Sequence, residues 1–229
     1  MTKLLRRTAA GRGRPRASAE PGSDEKRLRL VYLAASWCLG YPDDELLERI
    51  PLMRAALAEF PGASAPFEPV LAELEGRALP AAQSQYVQEF DLSKRHPLHL
   101  SYWTDGDTRR RGEVLAGFKQ VYRQSDAIVD TRGELPDYLP MVLEFAATVD
   151  LQAGRKLLID YRASLEMLRL ALVDDALPQA GILECICDSL PGESPADRDA
   201  VMRMAGYGPP TESVGLEPYD PRLLPLGRV

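Results

Sequence analysis

The stretch Leu151-Gln-Ala-Gly-Arg-Lys-Leu-Leu-Ile-Asp-Tyr-Arg-Ala-Ser-Leu-Glu-Met-Leu-Arg-Leu-Ala-Leu-Val-Asp174 decides the fold class. Leu158, Tyr161, Leu165, Leu168 and Leu172 return every three or four residues, as the buried face of an α-helix does. The spacing predicts the longest helix of the chain over 151–174. Arg155, Arg162 and Arg169 recur at sevens beside that seam. Such a row reads as a solvated flank whose aliphatic stems lie over apolar surface.

The same period holds outward in both directions. Leu28, Val31, Tyr32, Ala35, Cys38 and Leu39 mark a first helix that starts at Ser23 and stops at Gly40 and Pro42. A second helix, capped near Asp43, aligns Leu46, Ile50, Met53, Leu57 and Phe60, and Pro51 inside it should kink or split it. Residues 60–66 read as a loop, followed by short helices over 67–76 and 80–91. An ordered aromatic loop is expected over 92–107, since Tyr102 and Trp103 must find cover. Helices then follow over 108–125, with Val114, Leu115, Phe118, Val121 and Tyr122 inward, and over 138–149, 180–189 and 196–205. Strand alternation is absent, and Pro209, Pro210, Pro218, Pro221 and Pro225 exclude a terminal helix. The expectation is an all-α protein: one multi-helix bundle over 23–206, a disordered basic tail over 1–22 and an extended Pro-rich tail over 207–229.

Composition bounds the function. The 229 residues are 45% hydrophobic, enough for one substantial core. No run of about 18 uncharged apolar residues offers a membrane span. Residues 9–21 lack the apolar centre of a secretory signal despite the Arg6-Arg7 pair, so a cytoplasmic location is expected. Residues 1–16 hold six cations and no acid, so the net charge of −6 becomes −12 once they are set aside. An acidic body disfavours nucleic acid and attracts cationic partners. Cys38, Cys185 and Cys187 fit neither a disulfide framework nor a zinc site and read as structural thiols.

Phosphate-binding glycine loops, zinc-protease helices and serine-hydrolase elbows are missing. His96 and His99 are the only histidines, and Pro97 between them argues against a shared metal. A helical metal-dependent hydrolase using that pair is the alternative to a binding protein. Two runs carry more charge and proline than packing requires: 86–112 and 134–145. If Asp137 caps the helix that follows, Pro140 falls at its third position, where no N–H is needed. Leu139, Val142, Ala146 and Val149 then share one face, and Asp137, Met141 and Glu144 lie nearly opposite, a stripe suited to a cationic, apolar guest. Arg109, Arg110 and Arg111 at a helix start call for compensation, from Asp105, Asp107, Asp91, Glu89 or Glu144, or from an anionic ligand.

These runs also carry a resemblance. Tyr86-x-x-x-Phe90-Asp91-Leu92, His99-Leu-Ser-Tyr-Trp-Thr-Asp-Gly-Asp-Thr-Arg-Arg-Arg-Gly112, Phe118-Lys-x-x-Tyr122, Glu134-Leu-Pro-Asp-Tyr-Leu-Pro-Met-Val-Leu-Glu-Phe145 and Gly215-Leu-Glu-Pro-Tyr219 together resemble the NarJ-type nitrate reductase molybdenum cofactor assembly chaperones. The resemblance is dense over 86–149, and the arginine-rich first 22 residues depart from the pattern. It implies a cytosolic chaperone of nitrate assimilation, not an enzyme. Such a protein binds the catalytic (alpha) subunit of a respiratory nitrate reductase through a leader-like N-terminal segment and a second contact. It permits molybdenum cofactor insertion, delays membrane docking and holds no permanent cofactor or metal. The implied peptide-binding or groove-forming residues are Tyr86, Phe90, Asp91, Tyr102, Trp103, Gly106, Asp107, Arg109, Pro136, Asp137, Leu139, Pro140, Met141, Glu144 and Phe145. The resemblance leaves a monomer and a helix-exchanged homodimer both open.

Overall fold

A computed structural model of the chain describes residues 4–6, 22–105, 110–125, 127–129 and 133–205. Its helices are α1 (Ser23–Cys38), α2 (Asp44–Ala58), α3 (Glu68–Gly76), α4 (Leu79–Tyr86), α5 (Leu100–Asp105), α6 (Arg110–Gln124), α7 (Leu139–Thr148), α8 (Leu151–Asp160), α9 (Arg162–Asp174), α10 (Ala180–Asp188) and α11 (Arg198–Met204). A π-helical turn, Val87–Asp91, continues α4. The expected all-α bundle is therefore present. One short antiparallel ribbon accompanies it, β1 (Leu4–Arg6) with β2 (Ala127–Val129), which no alternating pattern in the sequence announces. The rest of the basic tail and the Pro-rich tail lie outside the described residues.

α7 is the centre of the molecule. Leu139, Met141, Val142, Leu143, Phe145 and Ala146 have no exposed surface, and only Glu144 and Thr148 reach water to a larger extent. A helix apolar almost all round belongs inside, and this one is packed between α1 and α8. The α7–α8 crossing is close: a Cβ built on Gly154 would lie 2.4 Å from the Cβ of Ala146. Arg29 of α1 donates to the carbonyl of Ala147, which satisfies one of the open carbonyls at the end of α7.

Two helix boundaries differ from expectation. Pro51 does not split α2, because its ring faces solvent while Leu46, Ile50, Met53 and Leu57 hold both halves to the core. The 151–174 helix is interrupted at Tyr161, whose φ of −106° and ψ of 25° leave the helical basin. Leu158, Leu165, Leu168 and Leu172 remain buried on both sides of the break. The arginine row is not a solvated flank. Glu166 is fully buried and receives Arg162 at 3.3 Å, Arg169 at 2.7 Å and the Ser194 hydroxyl at 2.8 Å. Both guanidinium groups also donate to carbonyls of the 191–195 loop, and Arg155 donates to Ser189. These arginines strap that loop to the bundle. Of the three cysteines, Cys38 and Cys187 are buried and Cys185 is partly buried, all as free thiols.

Candidate functional site

The two runs that stand out in the sequence are clasped to each other. The Leu100 N–H donates to the Asp137 carbonyl and the Leu139 N–H to the Leu98 carbonyl, with His99 and Tyr138 bridged between them. Asp137, fully buried, then accepts from the Ser101 backbone N–H at 3.0 Å and the Ser101 hydroxyl at 2.5 Å. Ser101 lies in the first turn of α5, so Asp137 caps α5 from across the fold. Its own helix begins after Tyr138, which places Pro140 at the second helical position, not the third. The expected cap is real but serves a different helix.

Charge follows that clasp. Arg111 donates to the Ser101 hydroxyl at 3.2 Å and approaches Asp137 at 3.9 Å, while His99 Nδ1 stands 3.4 Å from the other carboxylate oxygen. Arg111 is thus compensated in part by Asp137, at the helix start. Burial pushes the Asp137 carboxyl up, but His99 and the Ser101 donors outweigh it, so its pKa is lowered. The Asp137/Met141/Glu144 stripe is not a guest surface, since Asp137 and Met141 have no exposure. The aromatic segment is also more ordered than a loop, because α5 carries Tyr102 and Trp103.

The clasp forms one wall of a cleft of about 370 Å³. Phe90, Asp91, Leu92, Ser93 and Lys94 line the side after α4, and Pro97, Leu98, His99, Tyr102, Arg111, Glu134 and Tyr138 line the other. The π-helical turn builds the first side. It closes with the Leu92 N–H on the Val87 carbonyl, keeps Phe90 inside and leaves Asp91 and Leu92 outside. Such insertions into helices recur at functional positions. Leu92 is 76% exposed, the most exposed large apolar residue among the described residues. Around Asp91 the walls remove enough water to raise its pKa, with His99 acting against them.

Below the cleft, an aromatic stack fixes the turn. Tyr86 donates to the Leu39 carbonyl at 3.1 Å and meets the Tyr138 hydroxyl at 2.7 Å. Tyr41 and Phe90 pack on its ring at 5.5 and 5.0 Å. Burial raises the pKa of both bonded phenols, so they act as neutral hydrogen-bonding groups.

Among the residues singled out from sequence, Phe90, Asp91 and Tyr102 line the cleft. Tyr86 supports it from beneath, Trp103 donates to the Pro97 carbonyl, and Pro136 accepts from Tyr122 at 2.6 Å. Leu139, Pro140, Met141 and Phe145 are core residues of α7, and Glu144 is half-buried on its outer side. Gly106, Asp107 and Arg109 lie outside the described residues. Leu92, Lys94, Glu134 and Tyr138 were missed as cleft residues. An exposed Leu after Phe-Asp, breaking the helical stripe, was the available signal for the first. The two histidines are committed to different carboxylates, His96 to Asp175 at 2.8 Å and His99 to Asp137. The pair that a hydrolase would need is therefore not assembled, and no three His, Cys, Asp or Glu side chains gather as metal ligands among the described residues. Among those residues, no helix is long and apolar enough to cross a membrane.

Comparison with known proteins gives this cleft a context. The "Nitrate reductase-like protein NarX" of Mycobacterium tuberculosis H37Rv is 42% identical over 159 residues, which is 69% of this chain but 24% of that protein. The chain thus spans about a quarter of that relative's length. The "Probable nitrate reductase molybdenum cofactor assembly chaperone NarJ" of Bacillus subtilis is 33% identical over 143 residues, covering 61% of this chain and 77% of the relative. A protein from Archaeoglobus fulgidus described as a candidate redox enzyme maturation protein shares the fold. Its TM-score is 0.51 at 19% identity, over 77% of this chain and 98% of that one. The sequence profile described as "Nitrate reductase delta subunit" matches residues 52–178, which contain the whole cleft and its supporting stack except for Leu39 and Tyr41. The chain belongs to the nitrate reductase delta subunit family.

Proposed function

We propose that this protein is a dedicated assembly chaperone for a respiratory nitrate reductase. It binds the catalytic (alpha) subunit, permits molybdenum cofactor insertion and delays membrane docking until insertion is complete. It is a binding protein without turnover, and the molybdenum cofactor belongs to the client. Family membership supports this role, as do relatives named as cofactor assembly chaperones.

The observation that carries the reading is the convergence of separate sequence runs on one open cleft that mixes exposed apolar and acidic groups. Leu92 supplies apolar contact, Asp91 and Glu134 supply carboxylates, and Tyr102 and Tyr138 supply amphipathic rings. A leader-like client segment bearing cations and apolar side chains matches that chemistry. Lys94 and Arg111 work against a cation, but Arg111 is turned inward toward Ser101 and Asp137.

Calorimetric titration with a synthetic peptide copying the client's N-terminal segment tests the proposal. The wild-type chain should bind, and Leu92→Ala should weaken binding by about 1 kcal/mol through lost apolar contact. Asp91→Asn combined with Glu134→Gln should cost about 1 kcal/mol more at low salt, and this second loss should shrink as salt is added. Binding unchanged by all three substitutions would remove the cleft from the client site.

A further inference from the structure

A second groove, with a cavity of about 690 Å³, lies between α1, the loop before α3, and α10, and it shares no residue with the cleft. Leu28, Val31 and Pro66 make its walls apolar. Its lining is tight at Gly181, where a Cβ would stand 3.2 Å from the Pro66 carbonyl oxygen. The rim is acidic, with Asp24, Glu184 and Asp188 exposed and Arg27 the single cation in the lining.

The acids of α10 are placed against the stability of their own helix. Glu184 and Asp188 stand one turn apart, where like charges repel. Asp188 is also the last helical residue, at the end whose open carbonyls already disfavour negative charge. Among the described residues, none of Asp24, Glu184 and Asp188 has a salt-bridge partner. An arrangement that costs stability and opens onto an apolar groove fits a site whose compensation arrives with a partner.

We propose that this groove is a second client contact. It takes a helical segment of the catalytic subunit that carries Lys or Arg four residues apart over small apolar side chains. Four residues rise about 6 Å along a helix, so two such cations match the spacing of Glu184 and Asp188. Small side chains let that helix approach Gly62, Ala65 and Gly181. The inference rests on the chaperone reading above, but it concerns different residues.

The test uses the full chain, wild type and Glu184→Gln/Asp188→Asn, against apo catalytic subunit, intact or lacking its N-terminal segment. Wild type should bind the truncated subunit, and the double variant should bind it about fivefold more weakly. A peptide copying the N-terminal segment should bind both forms equally. The free double variant should also melt higher, by roughly 1–3 °C, because the repulsion within α10 is gone. Equal binding of the truncated subunit by the two forms would overturn the proposal. So would wild type that binds only intact subunit, an outcome that leaves the cleft reading standing. Failure to bind even intact subunit would instead remove the chaperone reading itself, and this inference with it. If the substitutions matter only while residues 1–21 are present, the groove serves the chain's own basic arm and the proposal is again overturned.

Discussion

Asp137 is where the two runs of sequence become one structure, and its removal should show it. Asp137→Ala deletes the acceptor for Ser101 and leaves Arg111 and His99 facing a buried gap. We expect a loss of about 2–4 kcal/mol in chemical denaturation, against about 1–2 kcal/mol for Asp137→Asn, which keeps an acceptor oxygen. The pKa of Asp137 is lower in the folded protein than its ordinary value. Its stabilisation is therefore fully present above the unfolded carboxylate value, about 3.9, and is lost as pH falls through the folded one. Asp137→Asn should flatten that acid limb; an unchanged limb would assign it to other carboxylates. Glu166 is the other buried carboxylate with high stakes. Glu166→Ala leaves Arg162 and Arg169 without their carboxylate partner and should cost about 3–5 kcal/mol, with early proteolysis of the 191–195 loop as the local sign. Sequence marked Asp137 as a helix cap but not the helix it caps, because a cap supplied across the fold leaves no fixed spacing. Glu166 was invisible for the same reason: its third ligand, Ser194, is 28 residues away.

Helices whose apolar stripes face a single core were legible almost residue by residue. The stripe of α2 and that of α1 are buried as read except for Leu28 and Phe60, which are only partly buried, since 3.6-residue periodicity directly encodes one buried face. The break at Tyr161 was not legible, because the leucine seam runs unbroken through it. α7 misled in a different way: it is buried on nearly every side, so dividing it into an inner and an outer face gave a stripe that does not exist. Its crossing with α8 makes a sharp prediction. Gly154→Ala should destabilise by about 2–3 kcal/mol through overpacking against Ala146, although alanine is the better helix former. Adding Ala146→Gly should recover part of that loss. A neutral or stabilising Gly154→Ala would mean that α7 and α8 separate easily. The π-helical turn was likewise beyond a helix-period reading, yet it decides that Asp91 and Leu92 reach the cleft.

At the scale of the molecule, the central bundle seats the clasped runs, and the excess of acid over base outside residues 1–16 favours cationic partners over nucleic acid. The family and the all-α architecture were readable from sequence because dense motifs and a strong period carry them. Which motif residues are accessible was not readable, because the same motif holds core residues such as Phe145 and cleft residues such as Asp91. The most direct test of the central claim is recovery of the untagged chain from cells with tagged, cofactor-free catalytic subunit as bait. The wild-type chain should be retained and the Leu92→Ala/Asp91→Asn/Glu134→Gln variant retained less, with the deficit disappearing when the bait lacks its N-terminal segment. Failure to recover the wild-type chain with that bait would contradict the account.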